Sequence, residues 1–482
     1  MKKKIILLFV VLVSIQEGIA QDKKIWTLKE CIDHALQNNL NVKRSLLSVE
    51  GSQVNLDQSK FQMLPSLNGG STFGYNWGRN IDPTTNLFIT QRINSFNLNA
   101  SSSFLIFNGL RLMSTYRQND LDNEASQQDF TKAKNDVILS VVTFYTSVIF
   151  NRELFLNAQS QLTTTTQQLE RTRRLANAGS VPRGNVLDLE AQQATNELNL
   201  INRENALNLS VLQLKQALQL PASTPMEIEV PQLDIGSELV MTETSEQIYE
   251  SALATLPEVK SAQLKLRSSL LGLKASRGSL YPRLSVNANL FSNYSSAADR
   301  LRFVGDGGTP STVPIQIGYV QGTNSPVFQD ISRPSVRTID GYEIPDQIKD
   351  NLARSASLNL QIPIFNGYQA RAGVQRSLIS NQQASITLQD TENRLRQSVE
   401  TAFNDAVASA KTYQSALRQV TAREEAFRML KQRFDSGAVN FVEYQVAENA
   451  LFQAKSDLVR AKYDFIFKRK VLDFYQGKTL EF

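Results

Sequence analysis

The sequence predicts an α+β membrane protein built as a duplicated unit. Each copy holds two β-strands and one long coiled-coil helical hairpin. Three observations carry this reading. Ile-Phe-Asn-Gly occurs twice, at Ile106–Gly109 and Ile364–Gly367, and each copy is followed 70 residues later by another glycine, Gly179 and Gly437 (179 − 109 and 437 − 367). Both intervals are almost free of Pro and Gly, with Gly373 the only interruption, which favours one very long helix in each. Four further stretches alternate apolar and polar residues with a period of two, the strand periodicity.

The chain opens MKKKIILLFVVLVSIQEGIA, three lysines ahead of an apolar run and a small Ala20. This predicts a secretory signal peptide over residues 1–20. No cysteine stands at the expected cut, so no lipid anchor is expected. Removing that segment takes away three Lys and one Glu, leaving 48 basic against 45 acidic residues (51 − 3 and 46 − 1). A balance so near zero predicts no nucleic-acid partner. The single cysteine, Cys31, cannot form an internal disulfide and reads as a packing residue of the helical stretch TLKECIDHALQNN. With His34 also the only histidine, no metal site, no cofactor and no catalytic constellation are expected.

The two copies stay in register outside the shared tetrapeptide. MLPSLNGG around Pro65 parallels LYPRLSVN around Pro282, and ECIDHALQNNLNVKRSLL parallels QIYESALATLPEVKSAQL. The expected division is a first repeat at 21–219, a Pro-containing linker at 220–245 and a second repeat at 246–482. The predicted strands are Ser66–Gly78, Phe96–Phe107, Leu284–Tyr294 and Leu352–Ile364. In the second, Phe96, Leu98, Ala100, Phe104 and Ile106 alternate with Asn97, Asn99, Ser101 and Ser103. One greased and one wetted face is the membrane β-barrel pattern. A soluble sheet with one wet face shares it. Four strands cannot close a pore, and open edges are not tolerated in lipid, so spanning strands require oligomerisation. The long segment Ser295–Asp350, with GDGGTPSTVP inside it, reads as an external loop.

The tetrapeptide marks the passage from strand to helix. Phe107 and Phe365 are expected to close the strands, Asn108 and Asn366 to cap the helices, and Gly109 and Gly367 to make the turn. Small and apolar residues then follow a coiled-coil spacing: Val137, Val141, Phe144, Val148 in the first copy and Leu395, Val399, Ala402, Ala406 in the second. At about 1.5 Å per residue, some 70 residues reach roughly 105 Å. Gly179 and Gly437 stop these helices, and returning helices are expected at about 185–218 and 441–474. The run Val137–Phe150 is the most apolar of the mature chain and reads as packed helix.

At this point the chain resembles the TolC-like outer-membrane efflux protein family. The features that carry the resemblance are the signal peptide, both IFNG junctions, MLPSL and LYPRL, and the tips LANAGSVPRGNVLDLEAQ and RFDSGAVNFVEYQVAEN. The resemblance implies a homotrimer with a shared 12-stranded β-barrel in outer-membrane lipid and a periplasmic α-barrel below it. It implies a periplasmic adaptor (a membrane fusion protein) and an inner-membrane transporter as partners, and passive conduction in place of chemistry. It places a periplasmic constriction just past the tip glycines, with acidic residues six and nine positions on in the second half. Those positions are Glu443 and Val446 here, so one matches and one departs; the first-half counterparts are Asn185 and Asp188. A selectivity ring and an ordinary helix-start carboxylate both remain open for Glu443 and Asp188. Val439 stands where some members carry a basic residue. Gly179, Val181, Gly437 and Val439 are the expected adaptor contacts, with simple turn geometry as the other reading. A soluble periplasmic coiled-coil scaffold or adhesin is the alternative to a conduit, but it leaves the four alternating stretches unexplained.

Overall fold

The duplication is visible in element lengths. The computed structural model describes residues 25–81, 88–90, 92–231, 243–296 and 301–478; the expected signal peptide and the middle of the expected linker lie outside them. Helices α1 (Leu28–Asn38) and α2 (Leu40–Phe61) have 11 and 22 residues, and so do α5 (Ser245–Thr255) and α6 (Pro257–Gly278). The long helices α3 (Arg111–Asn177) and α8 (Gln369–Asp435) both have 67 residues, and the returning helices α4 (Arg183–Ala217) and α9 (Phe441–Tyr475) both have 35. The copies are offset by 217 residues before their strand loops (245 − 28) and by 258 beyond them (369 − 111). The second copy therefore carries 41 extra residues (258 − 217) between its strands. The capping chemistry repeats too: Thr27 and Glu30, then Thr244 and Gln247, form reciprocal capping boxes that satisfy first-turn amides.

Two compact units result, one from residues 57–117 and 271–378, the other from the remaining described residues. The strand unit holds a four-stranded antiparallel sheet in the order β12-β7-β5-β2, where β2 is Ser66–Asn76, β5 Ile93–Phe107, β7 Arg283–Ser295 and β12 Ala353–Gln361. All four predicted strands are present. Their register gathers the alternating residues onto two faces. Phe73 pairs with Phe96 and Phe96 with Tyr294; Ala100 pairs with Leu290; Phe104 pairs with Val286 and Val286 with Leu358. Asn97 pairs with Asn293, Ser103 with Asn287 and Asn287 with Ser357 on the other face. Because directly opposed residues point the same way, one face is mostly apolar, with Arg354 and a few serines on it, and the other is Asn/Ser-rich, with Phe291 as an exception. Leu67 (82% exposed), Leu358 and Leu360 are uncovered on the apolar face. The outer edges of β2 and β12 pair with no described strand.

The segment read as an external loop is more ordered than its composition suggests. It folds as two β-hairpins, β8 (Leu301–Gly305) with β11 (Val336–Asp340), and β9 (Ser311–Tyr319) with β10 (Pro326–Arg333). A short helix α7 (Ile344–Asp350) follows; its Gln347 side chain is buried and accepts from the Ser295 amide at 3.0 Å. The first copy carries a smaller hairpin at the same place, β3 (Arg79–Ile81) with β4 (Phe88–Thr90).

The helical unit holds several buried clusters, the largest around α3. Val137, Val141, Val142, Tyr145, Val148 and Ile149 of α3 pack with Cys31, Ala35, Leu214, Leu218 and Ile466. By length and composition α3 is apolar enough to cross a membrane, but these residues spend their apolar surface on the core. Cys31 is fully buried, as its packing role requires. Inside the expected linker, β6 (Glu227–Ile228) pairs in parallel with β1 (Ile25–Trp26) at the start of the first repeat, and the Tyr145 hydroxyl donates toward both Trp26 O and Glu229 O. The second-copy seam residues Leu395, Val399, Ala402 and Ala406 pack with Ile248, Ala252, Val259 and Leu472.

Candidate functional site

Each long helix ends in a Schellman turn. Gly179 has φ 75° and Gly437 φ 78°, the left-handed region that glycine enters without a Cβ penalty. Ser180 N donates to Leu175 O at 2.9 Å, and Ala438 N to Arg433 O at 2.8 Å. The two tips pack together. Leu169 of α3, Val186 and Leu189 of α4, and Phe441 of α9 form a buried cluster, with Phe434 of α8 and Ala176 against it. Arg171 reaches Asp435 of the other copy at 3.1 Å. Behind the cluster the helices meet through amides: Gln192 Oε1 accepts from Gln445 at 3.1 Å and Asn449 at 3.4 Å, and Asn196 donates to Thr165 at 2.8 Å.

The sequence-predicted tip residues sit as follows. Val181 is half-buried, and Gly179, Gly437 and Asp188 are exposed, while Asn185 and Val439 are half-buried. Glu443 is exposed and tied to the start of α9: Asn440 Oδ1 accepts from Glu443 N at 2.8 Å, while Asn440 Nδ2 donates to Glu443 Oε1 at 2.9 Å. A carboxylate there also meets the positive end of the helix dipole. The carboxylate thus has a local partner and an exposed position together.

One functional candidate escapes sequence reasoning. Glu448 is only 5% exposed, and Tyr444, itself buried against Phe427 and Phe434, donates a hydrogen bond to Glu448 Oε1 at 3.2 Å. Burial raises the Glu448 carboxyl above its usual range, the Tyr444 bond and Lys431 pulling it back in part. Burial raises the Tyr444 hydroxyl as well, helped by the Glu448 charge. The first-copy counterparts behave differently. At the 258-residue offset Glu448 corresponds to Glu190, Lys431 to Arg173 and Tyr444 to Val186, and Glu190 simply pairs with Arg173 at 2.7 Å on the surface. The offset was the available signal: Tyr in place of Val at 444 gives the acid an inward partner.

The raised Glu448 value has a definite sign. A folded-state value above the unfolded one means that its contribution to stability is full below the unfolded value and is lost as pH rises through the folded one. Glu448→Gln keeps an acceptor for Tyr444 and carries no charge. It is expected to stabilise the tip at neutral pH, with the difference from the parent vanishing in acid. Amide hydrogen exchange around Phe441–Tyr444 at several pH values reads this.

The strand-to-helix junctions also repeat. Asn108 Oδ1 lies 3.5 Å from Leu112 N and Asn366 Oδ1 3.4 Å from Ala370 N, long contacts from residues three positions before the helices begin at Arg111 and Gln369. Both junctions use two successive left-handed residues, Gly109 and Leu110, then Gly367 and Tyr368. Phe107 ends β5 as expected. Phe365 does not end β12, which stops at Gln361 because Pro363 offers no N–H to continue the ladder; Phe365 is 87% exposed.

A sheet with one mostly apolar face and two open edges, joined in sequence to paired helical hairpins, fits the class of outer-membrane channel proteins. The comparisons agree with that class. The family described as "Outer membrane efflux protein" matches residues 31–219 and 248–475. The chain belongs to the outer membrane efflux protein family, whose place is the outer membrane and whose work is transport. It is 22% identical over 449 residues to the outer membrane protein TolC of Escherichia coli (strain K12), covering 92% of this chain and 80% of that one. It is 24% identical over 288 residues to an uncharacterized protein of Haemophilus influenzae, and there the match spans 57% of this chain and 58% of the relative. The crystal structure of the outer membrane protein VceC from Vibrio cholerae superposes with a TM-score of 0.72 at 13% identity, covering 94% of this chain and 97% of that one, which speaks to fold.

Proposed function

We propose that three copies of this chain join their sheets edge to edge into one 12-stranded barrel, and their helical hairpins into a hollow periplasmic barrel. This duct carries substrate passively from an inner-membrane transporter and a periplasmic adaptor to the exterior. The observation that carries the reading is the sheet: a mostly apolar face interrupted by a few serines and by Arg354 near one end, an Asn/Ser-rich face behind it, and two edges that pair with no described strand. Lipid accepts the first, water the second, and another copy the third. A soluble periplasmic scaffold leaves the apolar face without a solvent that suits it.

The tips are the docking end in this reading. Gly179, Val181, Gly437 and Val439 are the adaptor contacts, and Glu443 with Asp188 and Asn185 line the constriction. Three copies of two exposed carboxylates concentrate negative potential in a narrow bore and favour cations. Outer-membrane fractionation should find a heat-sensitive oligomer, and affinity capture should bring down an adaptor and a pump. In single-channel recordings Glu443→Ala and Asp188→Ala should each lower cation preference several-fold. An unchanged preference removes the ring from the account and leaves Glu443 as a cap residue alone.

A further inference from the structure

The 41 additional residues of the second copy include a hairpin that leaves a row of aliphatic side chains partly uncovered by the described residues. In the β9–β10 ladder Val313 faces Ile331 and Ile315 faces Gln329, and Ile317 continues the same side, with Arg333 and Ser311 at its end; Thr312, Pro314, Gln316, Asp330 and Ser332 occupy the opposite side, together with Phe328. Ile317 is 59% exposed and Ile331 is also exposed. The smaller hairpin of the first copy has the same character: Ile81 faces Phe88, and both are exposed, as is Trp77 just before it.

Topology brings these two surfaces to neighbouring places in different copies. β2 and β7 run in the same direction, each antiparallel to β5, so β3–β4 and β9–β10 leave the sheet at the same end. β2 is one edge of the sheet and β12 the other; β3–β4 follows β2, and the β9–β10 insertion leads into β12. Pairing β12 of one copy with β2 of the next therefore sets the large hairpin of the first beside the small hairpin of the second, across the seam. Apolar surface of this kind does not stay in water on a stable exterior.

We propose that β9–β10 packs its Val313, Ile315, Ile317 and Ile331 side onto Ile81 and Phe88 of the adjacent copy, so that each seam of the barrel carries an external clasp. The inference rests on the edge-to-edge assembly proposed above and goes beyond it, because strand pairing needs no clasp. The partner is a second copy of this chain, chosen by the shared exit end of the two hairpins and by the position of each beside a free edge.

The test is cysteine crosslinking of the full-length protein in isolated outer membranes. Cys31 is fully buried and stays out of the reaction. The variant with Ile317→Cys and Phe88→Cys, treated with a short bis-maleimide, should give covalent dimers and trimers of this chain on denaturing gels. Ile317→Cys alone should give none. A heat-sensitive oligomer without crosslinked multiples overturns the clasp and leaves the duct standing. Loss of any oligomer in the unsubstituted protein removes the assembly itself. A crosslinked product whose mass is not a multiple of this chain assigns the hairpin to a different partner and overturns the proposal. As a second reading, Ile317→Asp with Ile331→Asp should leave the outer-membrane level unchanged but make the oligomer dissociate at a temperature that the parent survives. An unchanged dissociation temperature also overturns the clasp.

Discussion

Leu290→Arg should remove the heat-sensitive oligomer from the outer membrane, whereas Asn289→Arg, one residue away, should not. Leu290 lies midway along β7 on the mostly apolar face, between Ala100 of β5 and Arg354 of β12, so a second arginine there would also meet a like charge, and Asn289 lies between Ser101 and Ser355 on the other face. An arginine at the lipid midplane of a barrel costs about 2–4 kcal/mol per copy, comparable with a large part of the stability of many domains. On the wet face the same side chain keeps its hydration and adds positive charge to the lumen, so Asn289→Arg should shift ion preference toward anions. Outer-membrane yield and heated-versus-unheated gels read the first outcome, and planar-bilayer recording the second. Equal tolerance of both substitutions would falsify the assignment of the two faces.

The second large effect is expected at Gly109. A Cβ built there lies 2.4 Å from Gly278 O and 2.9 Å from both Gly278 Cα and Tyr281 Cβ, and φ is 68°. Two of those three atoms are backbone, so they cannot swing aside. Gly109→Ala should therefore combine a steric displacement with the left-handed penalty, costing about 3 kcal/mol or more. Gly367 has nearly the same conformation, φ 62°, but nothing stands within 4 Å of its added Cβ. In the isolated chain Gly367→Ala should cost only about 1–2 kcal/mol. Denaturant titration of detergent-solubilised, dissociated chains should separate the two. Any extra cost of Gly367→Ala in the assembled oligomer then measures a contact that another copy supplies. Equal costs in the dissociated chains would show that the Gly109–Gly278 approach is not tight.

The two IFNG motifs look interchangeable in the sequence, and that contrast shows where sequence reading stops. Period-two alternation located all four sheet strands, because each has to satisfy two different environments at once. The absence of Pro and Gly located both 67-residue helices, and Gly179 and Gly437 located their ends. The β9–β10 hairpin was hidden because Pro314, Gly318 and Gly322 lie in or beside it, and Pro is tolerated in a two-stranded ribbon whose outer edge faces solvent. The β1–β6 pairing is two residues long and has no periodicity to detect. β12 ended early because Pro363 overrode an alternation that continues to Ile364. Of the tip residues, the turn glycines and the cap at Asn440 follow from local chemistry. The burial of Glu448 does not, since it depends on an aromatic cluster drawn from α8 and α9.

The replacement of Val186 by Tyr444 makes the two hairpins of one chain unequal. In the proposed trimer they would alternate around a threefold axis, one kind with its glutamate beside an arginine at the surface and the other with its glutamate kept from water under a phenol. An acid-driven change at Glu448 would then act at the rim of that proposed trimer with threefold symmetry instead of sixfold.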